Sequence, residues 1–237
     1  MIGATLEPIA RNLTAVRARM QAAALRASRA PAAIRLLAVS KTWPLAAIEA
    51  ALGAGQIEYG ENYLQEALPK QAVLGRDRGL VWHFIGAVQS NKTRLVAEHF
   101  DWVHTVDRPR IAERLNAQRP ATLLPLNVCI EVRLDPEPGK GGIAPQQLPA
   151  LADTVSGLPR LRLRGLMSIP APCNDPATQR LSFRRLRELF DSLNRHGLSL
   201  DTLSMGMSGD FEAAILEGAT LIRVGTAIFG ARAAKHS

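Results

Sequence analysis

Short apolar segments alternate with longer amphipathic segments along the chain, and this alternation limits the possible fold more than any other feature. Continuous apolar segments are typical of strands that are buried on both faces of a parallel sheet. The predicted strands are Ile34–Ser40, Ile57–Tyr59, Leu80–Ile85, Trp102–Val106, Leu123–Val132, Leu161–Ile169, Leu200–Met205 and Thr220–Val224. The predicted helices between them are Pro44–Ala54, Tyr63–Leu74, Ser90–His99, Pro109–Gln118, Pro145–Val155, Pro176–His196 and Asp210–Glu217. The chain is therefore expected to be an α/β protein.

Eight strand–helix units predict a closed (β/α)8 barrel of the TIM type. The 237 residues suit one such barrel, and no linker interrupts them, so we expect residues 1–237 to form a single domain. The alternative is an open doubly wound sheet. The number of strands and the lack of a Gly-x-Gly-x-x-Gly turn after the first strand disfavour it. An extra helix within about residues 1–30 should pack outside the barrel or across its base.

The formal net charge is +8 at pH 7, and most of the positive charge is arginine. A basic protein can bind nucleic acid or other anions. No basic run here is interleaved with aromatic residues, as a stacking platform for bases would require. We interpret the charge as solvated surface arginine, and we expect no nucleic-acid partner.

Hydropathy and cysteine content indicate the compartment. No run approaches the roughly 18 apolar residues of a membrane span, and the N-terminal segment does not have the apolar core of a secretory signal. The two cysteines, Cys129 in an apolar segment and Cys173 in a loop, are predicted to be free thiols. We expect a cytoplasmic protein without a membrane partner.

Lys41 is an unusual residue for its position at the end of the first predicted strand. It follows an apolar approach and shares the strand parity of Leu37 and Val39, so it points into the barrel if they do. A lysine in such a place is desolvated, which favours the neutral amine that attacks an aldehyde. The alternative is a strand-end lysine that simply reaches solvent.

The loops after the seventh and eighth strands carry small residues and hydroxyls, at the usual phosphate site of such barrels. Gly206 lets backbone N–H groups approach a ligand closely, and Ser208 is placed to cap the next helix, whose first N–H groups would suit an anion. Gly225 and Thr226 form a second small turn, and Ser204 lies at the start of the first loop. Ordinary turn and capping chemistry is the alternative interpretation.

Three further residues at the predicted strand ends have two interpretations each. Arg223 lies inside the last strand, where a charge needs a partner; it contacts either a ligand or a carboxylate such as Glu131 or Glu61. Asn62 either binds a ligand or makes an Asx turn. His83, between two aromatic residues, is either a satisfied core histidine or a ligand-binding residue.

Other classes of site find less support in the sequence. No cysteine or histidine pairs stand at metal-ligand spacing, so we expect no metal. No Gly-x-Ser-x-Gly motif indicates a serine hydrolase. A barrel enzyme that acts on a sugar phosphate would use the same phosphate loops, but it would not need both Lys41 and Arg223.

Six motifs together resemble the pyridoxal phosphate homeostasis proteins, the YggS/PROSC group. The motifs are Leu37–Thr42, Tyr59–Glu66, Trp82–Gly86, Gln89–Lys92, Leu203–Ser208 and Arg223–Gly230. They follow the family's order from about residue 10 to residue 232. Ala87-Val88 and Cys129-Ile130-Glu131 depart from the family pattern, outside the proposed cofactor contacts.

The resemblance implies a barrel like the N-terminal domain of alanine racemase, with pyridoxal 5'-phosphate (PLP) held covalently as a Schiff base on Lys41. It implies that Ser208, Gly225 and Thr226 bind the phosphate, and that Ser204 and Gly206 line the same loop. It further implies that Arg223 faces the pyridine nitrogen, that Asn62 lies beside the ring, and that Lys140 lies at the rim.

The family is regarded as binding, buffering and delivering PLP with little or no catalysis, so the resemblance implies a carrier. An arginine donor leaves the pyridine nitrogen unprotonated, which makes the ring a poor electron sink. Racemisation also needs a second acid/base group, and the two tyrosines, Tyr59 and Tyr63, both lie near the second strand. A racemase of low activity remains the alternative. PLP-dependent apo-enzymes are candidate partners, and we expect a monomer.

Overall fold

The strands form a closed parallel barrel in which each strand pairs with the next along the chain and the last pairs with the first. The structure is a computed structural model that describes residues 7–75, 77–135, 141–171, 173 and 175–231. The strands are β1 (Arg35–Val39), β2 (Glu58–Glu61), β3 (Val81–Phe84), β4 (Trp102–Val106), β5 (Leu126–Glu131), β6 (Leu161–Met167), β7 (Thr202–Ser204) and β8 (Leu221–Val224). The predicted (β/α)8 barrel is confirmed.

Helices surround the barrel. They are α1 (Glu7–Arg26), α2 (Leu45–Gly53), α3 (Leu64–Leu74), α4 (Thr93–His99), α5 (Pro109–Gln118), α6 (Leu148–Ser156), α7 (Pro176–Arg195), α8 (Phe211–Leu216) and α9 (Thr226–Phe229). The short 3₁₀ helices are Pro31–Ala33, Ser90–Lys92 and Pro145–Gln147. Within the described ranges, no helix has the length and apolar character that crossing a membrane would require.

The predicted N-terminal helix is present as α1, and it covers the seam where β8 meets β1. It packs against α2, α8 and α9, and its apolar face buries Ile9, Leu13 and Val16. The side-chain amide of Asn12 donates a hydrogen bond of 2.9 Å to the carbonyl of Ile228. The first helix thus stabilises the last one, which begins in the predicted phosphate loop.

Most of the apolar core lies between the strands and the helices. The interior of the barrel differs, because its apolar cluster is small and consists of Trp102, Cys129 and Met167. Cys129 is fully buried, and neither cysteine forms a disulfide, as predicted. The rest of the interior is rich in polar side chains, which a barrel core tolerates only when they are hydrogen-bonded.

Candidate functional site

A cavity of about 260 Å³ opens at the C-terminal ends of the strands, where parallel barrels carry their chemistry. It is lined by Val39, Lys41, Trp43, Asn62, Ile85, Met167, Ile169, Met207, Ser208, Gly209, Arg223, Gly225, Thr226 and Gly230. Six of the eight residues predicted to bind the cofactor are therefore brought together. The other two, Ser204 and Gly206, do not line it.

A buried charged cluster holds the segment that carries Lys41. The hydroxyl of Ser40 donates a hydrogen bond of 2.7 Å to the carboxylate of Glu61. The ammonium of Lys70 lies 2.8 Å from the same carboxylate oxygen and 3.1 Å from the backbone carbonyl of Ser40. Because all three residues are buried, removing one partner would leave another polar group unpaired. The cluster therefore fixes the backbone at the end of β1, immediately before Lys41.

The backbone turns sharply just after Lys41. Thr42 has a φ of 67°, a left-handed conformation that is costly for a β-branched residue. Its amide donates a hydrogen bond of 2.7 Å to the carboxylate of Glu66, and the ring of the next residue, Trp43, stacks on Phe229 of α9 at 5.7 Å. These contacts hold the turn in place and keep Lys41 at the cavity wall.

The turn after β7 differs from the prediction that Ser208 caps the next helix. Asp210 occupies the N-cap position of α8, and its carboxylate accepts a hydrogen bond of 2.6 Å from the amide of Met207. The Ser208 hydroxyl instead accepts one of 3.2 Å from the amide of Ala227 in α9. The side chain of Asp210 makes no capping bond to α8 and instead closes the preceding turn back onto Met207. Ser208 consequently links the two loops that were predicted to bind phosphate.

Backbone amides that face the cavity from this turn have no acceptor in the part of the chain that the structure describes. They belong to Ser208 and Gly209, which both line the cavity. Across from them, Gly225 packs so closely on β1 that an added Cβ would lie 3.3 Å from the carbonyl oxygen of Val39. Gly225 is followed by α9, a short helix that the sequence did not predict. Together the two loops present N–H groups and hydroxyls to one side of the cavity.

Arg223 lies at the floor of the cavity and is 4% exposed. One terminal nitrogen donates to the carbonyl and the hydroxyl of Ser204, at 2.6 and 2.8 Å, and the other donates to the carbonyl of Ser168 at 2.9 Å. These bonds use three of the five N–H groups of a guanidinium. Neither Glu61 nor Glu131 forms a salt bridge with it among the described residues. Two donors therefore remain for a ligand.

Burial lowers the pKa of Arg223 to about 10, although the negative charges of Asp210 and Glu131 oppose this effect. The guanidinium thus stays cationic at neutral pH. Ser204, fully buried, lies beneath Arg223 and supports it from below. Gly206 has a φ of 92°, and an added Cβ would lie 2.6 Å from the Cβ of Ala214. The left-handed backbone and the close approach to Ala214 therefore require glycine at this position of the loop.

Asn62 lines the cavity from β2. Its side-chain oxygen is buried and accepts no hydrogen bond from any described residue. Gly86 packs against its backbone so tightly that an added Cβ would overlap the carbonyl oxygen of Asn62. Only glycine fits there, so the backbone of Asn62 is fixed by the neighbouring strand end.

Neither tyrosine lines the cavity. Tyr59 is fully buried outside the barrel, where its hydroxyl donates to the backbone carbonyls of Ile48 and Gln56. Tyr63 is 50% exposed and lies in a neighbouring groove with Lys92. Lys140, which the resemblance implies at the rim, lies outside the described residues. No group of potential metal ligands occurs within the described residues.

Glu131 ends β5 near the rim, beside Gly141 and Gly142. Burial raises the pKa of its carboxyl to about 7, and the negative charge of Asp107 adds to this effect, whereas Arg223 opposes it. Its protonated form is therefore favoured by folding. Glu131 therefore makes its full contribution to the free energy of unfolding below the unfolded pKa of about 4.3. That contribution is lost as the pH rises through 7.

We expect Glu131→Gln to remove this pH dependence. The free energy of unfolding of the variant, relative to the wild type, should increase by about 1–3 kcal/mol between pH 5 and pH 8, with most of the change below pH 7. Urea unfolding at several pH values measures it. The exposed Glu188→Gln variant should show the wild-type pH profile. A constant difference between Glu131→Gln and the wild type would contradict the assignment.

The apolar wall of the cavity was not singled out from the sequence. It includes Ile85, Met167 and Met207, from three different strand ends. Residues at alternate strand positions share one face of a sheet. The sequence therefore contained a signal that Met167 lies on the same face of β6 as Gly165.

Comparison with known proteins assigns the chain to a family. The family described as "Alanine racemase, N-terminal domain" matches residues 9–233. The "Pyridoxal phosphate homeostasis protein" of Pseudomonas aeruginosa is 60% identical over 227 residues, which cover 96% of this chain and 97% of that protein. The chain belongs to the pyridoxal phosphate homeostasis protein family.

Other members of the pyridoxal phosphate homeostasis protein family resemble the chain over a similar span. The protein of that name from Escherichia coli K12 is 54% identical over 230 residues, covering 96% of this chain and 98% of that one. The structure of PipY from Synechococcus elongatus with PLP bound has a TM-score of 0.83 and 40% identity, covering 94% of this chain and all of PipY. The resemblance inferred from the six motifs is confirmed.

Proposed function

We propose that this protein binds PLP as a Schiff base on Lys41 and serves vitamin B6 homeostasis by buffering or delivering the cofactor. One observation carries the proposal: a single cavity has Lys41 in its wall, two donor-rich loops on one side and a cationic Arg223 at its floor. The bound PLP in the related PipY structure supports the choice of ligand. When bound, PLP supplies an aldehyde carbon to which a lysine amine attaches with loss of water.

The residues around the cavity fit the remaining groups of PLP. We assign the phosphate to the Ser208–Gly209 turn together with Gly225 and Thr226, because amides and hydroxyls bind phosphate well. Asn62 lines the cavity and offers an amide for a polar substituent beside the ring. Ser204 and Gly206 support Arg223 and the loop from beneath, so their part is indirect.

Arg223 determines what the bound cofactor can do. Its guanidinium remains charged and has no acceptor atom, so it can only donate a hydrogen bond to a pyridine nitrogen. A nitrogen that receives this bond stays unprotonated, which limits the ring as an electron sink. This favours storage over amino-acid chemistry.

The positions of the tyrosines favour a carrier over a racemase. Racemisation needs acid/base groups on both faces of the reacting carbon. Lys41 can serve one face, but Tyr59 donates to backbone carbonyls outside the barrel and Tyr63 lies in another groove. Within the described residues, no tyrosine hydroxyl lines the cavity to serve the other face. We further propose that the protein acts in the cytoplasm as a monomeric, single-domain donor of PLP to apo-enzymes.

Two assays on the PLP-loaded protein test the carrier function. Alanine racemisation should turn over at less than about 1 s⁻¹, below the ordinary range of enzymes. The loaded protein, freed of unbound PLP by gel filtration, should reactivate an apo-aminotransferase, with free PLP at equal concentration as the reference. A racemisation turnover above about 1 s⁻¹, or no reactivation of the apo-enzyme, would overturn the carrier proposal.

A further inference from the structure

A chain of polar contacts runs through the barrel interior below the cavity. It starts at Arg223, whose terminal nitrogen lies 2.8 Å from the Ser204 hydroxyl oxygen. That oxygen lies 2.8 Å from Nδ1 of His104, and Nε2 of His104 lies 2.9 Å from Nδ1 of His83. Nε2 of His83 then faces a carboxylate oxygen of Glu58 at 3.4 Å, an electrostatic contact that does not have the geometry of a hydrogen bond. The chain thus links the cavity floor to the opposite end of the barrel.

The two ends of this chain have opposite and fixed characters. A guanidinium can only donate hydrogen bonds. Glu58 can only accept them when ionised, and it is held in that state: burial raises its pKa, but the neighbouring His83 and Arg35 outweigh burial and lower it overall. Arg35 binds both carboxylate oxygens of Glu58, at 2.9 and 2.8 Å. An ionised Glu58 therefore favours a proton on Nε2 of His83, and the proton positions along the chain follow from that end.

The fixed ends determine the proton position on each ring. The Ser204 oxygen accepts from Arg223, so its own proton is available for Nδ1 of His104. Nε2 of His104 then carries the ring proton and donates to Nδ1 of His83. Nε2 of His83 in turn carries a proton that faces the carboxylate. The reverse arrangement would direct a ring lone pair at the carboxylate of Glu58.

Both rings are neutral in this arrangement. His83 and His104 are fully buried. Burial lowers the pKa of His104 well below its usual value, and the positive charges of Arg223 and Arg35 add to this. Burial also lowers the pKa of His83, although Glu58 partly compensates.

We propose that His83 and His104 are positioning residues that hold the Ser204 hydroxyl under Arg223 through a directional hydrogen-bond chain, whose last ring, His83, faces the carboxylate of Glu58. Backbone carbonyls of Ser204 and Ser168 accept two of the bonds from Arg223, and the third goes to the Ser204 hydroxyl, which is the contact that the chain below it supports. This contact of Arg223 is thus coupled to a carboxylate at the far end of the barrel. The role toward PLP rests on the proposed function, whereas the direction of the chain does not.

Nitrogen NMR of the histidine-labelled, cofactor-free protein tests the direction of the chain. A protonated ring nitrogen and an unprotonated one have widely separated ¹⁵N shifts, and single variants of His83 and His104 assign the signals. Both rings should be neutral and protonated on Nε2. A proton on Nδ1 of either ring in the wild type would overturn the proposed direction. This result does not depend on PLP, so a protein that fails to bind PLP would refute only the proposed function.

Variants along the chain test the link to the cofactor. His104→Phe keeps an aromatic ring but removes both nitrogens, and it should weaken PLP binding about 3- to 10-fold and shift the Schiff-base absorption. His104→Gln offers one acceptor and one donor on its amide, and it should restore part of both properties. An unchanged affinity and spectrum in His104→Phe would overturn the positioning role, as would the absence of any recovery in His104→Gln.

Glu58→Gln replaces a carboxylate that can only accept hydrogen bonds with an amide that can also donate them. The substituted residue does not line the cavity. We expect an Nδ1-protonated ring to become detectable by NMR, and the PLP spectrum to shift in the same sense as in His104→Phe. The matched control is Asp201→Asn, which removes a carboxylate that also pairs with a barrel arginine, Arg164, but lies outside the chain. Equal spectral changes in Glu58→Gln and Asp201→Asn would overturn the proposal.

Discussion

Lys41→Ala is expected to abolish the Schiff-base absorption of the PLP-loaded protein completely. Lys41 lines the cavity at the end of β1, and the segment that carries it is fixed by the Ser40–Glu61–Lys70 cluster. No other lysine among the described residues lines this cavity. Weak binding should persist, because the loops that we assign to the phosphate are unchanged.

Borohydride reduction followed by mass spectrometry of peptides measures this outcome at the attachment site. Reduced wild-type protein should carry the pyridoxyl label on the peptide that contains Lys41, and the variant should carry none. Lys92→Ala, in the neighbouring groove, is the matched control and should label normally. A label on any other lysine in the wild type, Lys140 included, would refute the assignment.

Removing the phosphate from the ligand should weaken binding by a factor of about 10²–10⁴. Two charge-assisted hydrogen bonds of about 1.5–3 kcal/mol each give about 3–6 kcal/mol, and each 1.4 kcal/mol is a tenfold change in affinity. The amides of Ser208 and Gly209 are available for these bonds. Titration with PLP and with pyridoxal measures the ratio of dissociation constants.

Two controls connect that ratio to the loops. Ser208→Ala should reduce the discrimination between PLP and pyridoxal by about tenfold, because one hydroxyl contact is lost. The exposed Ser156→Ala on α6 should leave it unchanged. Inorganic phosphate should compete with PLP but not with pyridoxal. Comparable dissociation constants for the two ligands would show that the phosphate site lies elsewhere.

The fold was largely predictable, because apolar periodicity directly reflects burial. Trp102–Val106 and Pro109–Gln118 were predicted with the bounds that the structure has. The second strand was predicted at Ile57–Tyr59 but is Glu58–Glu61, since glycine and glutamate are poor strand formers and their burial in β2 comes from tertiary contacts. The fifth was predicted to start at Leu123 but starts at Leu126, directly after Pro125, which cannot donate to a ladder.

The site was predictable where a chemical group meets a strand end, as for Lys41 and Thr226. It was less predictable where two loops interact. The competition between Ser208 and Asp210 for the cap depends on the path of the turn, which local sequence does not specify. The interior chain was also missed: His83 had two open interpretations, and His104 had none. Polar residues at alternate positions of apolar strands were the available signal.

The seam beneath α1 has a consequence for how the protein is made. The hydrogen bond between Asn12 and Ile228 joins residues 216 positions apart, and β1 pairs with β8. At about 5–20 residues per second, a ribosome needs about 10–40 s to add the partners of the first helix. During that interval α1 can pack against α2, but its partners α8 and α9 are not yet present. The nascent chain should therefore depend on holding chaperones until the last strand emerges, and slow translation near its end should favour aggregation.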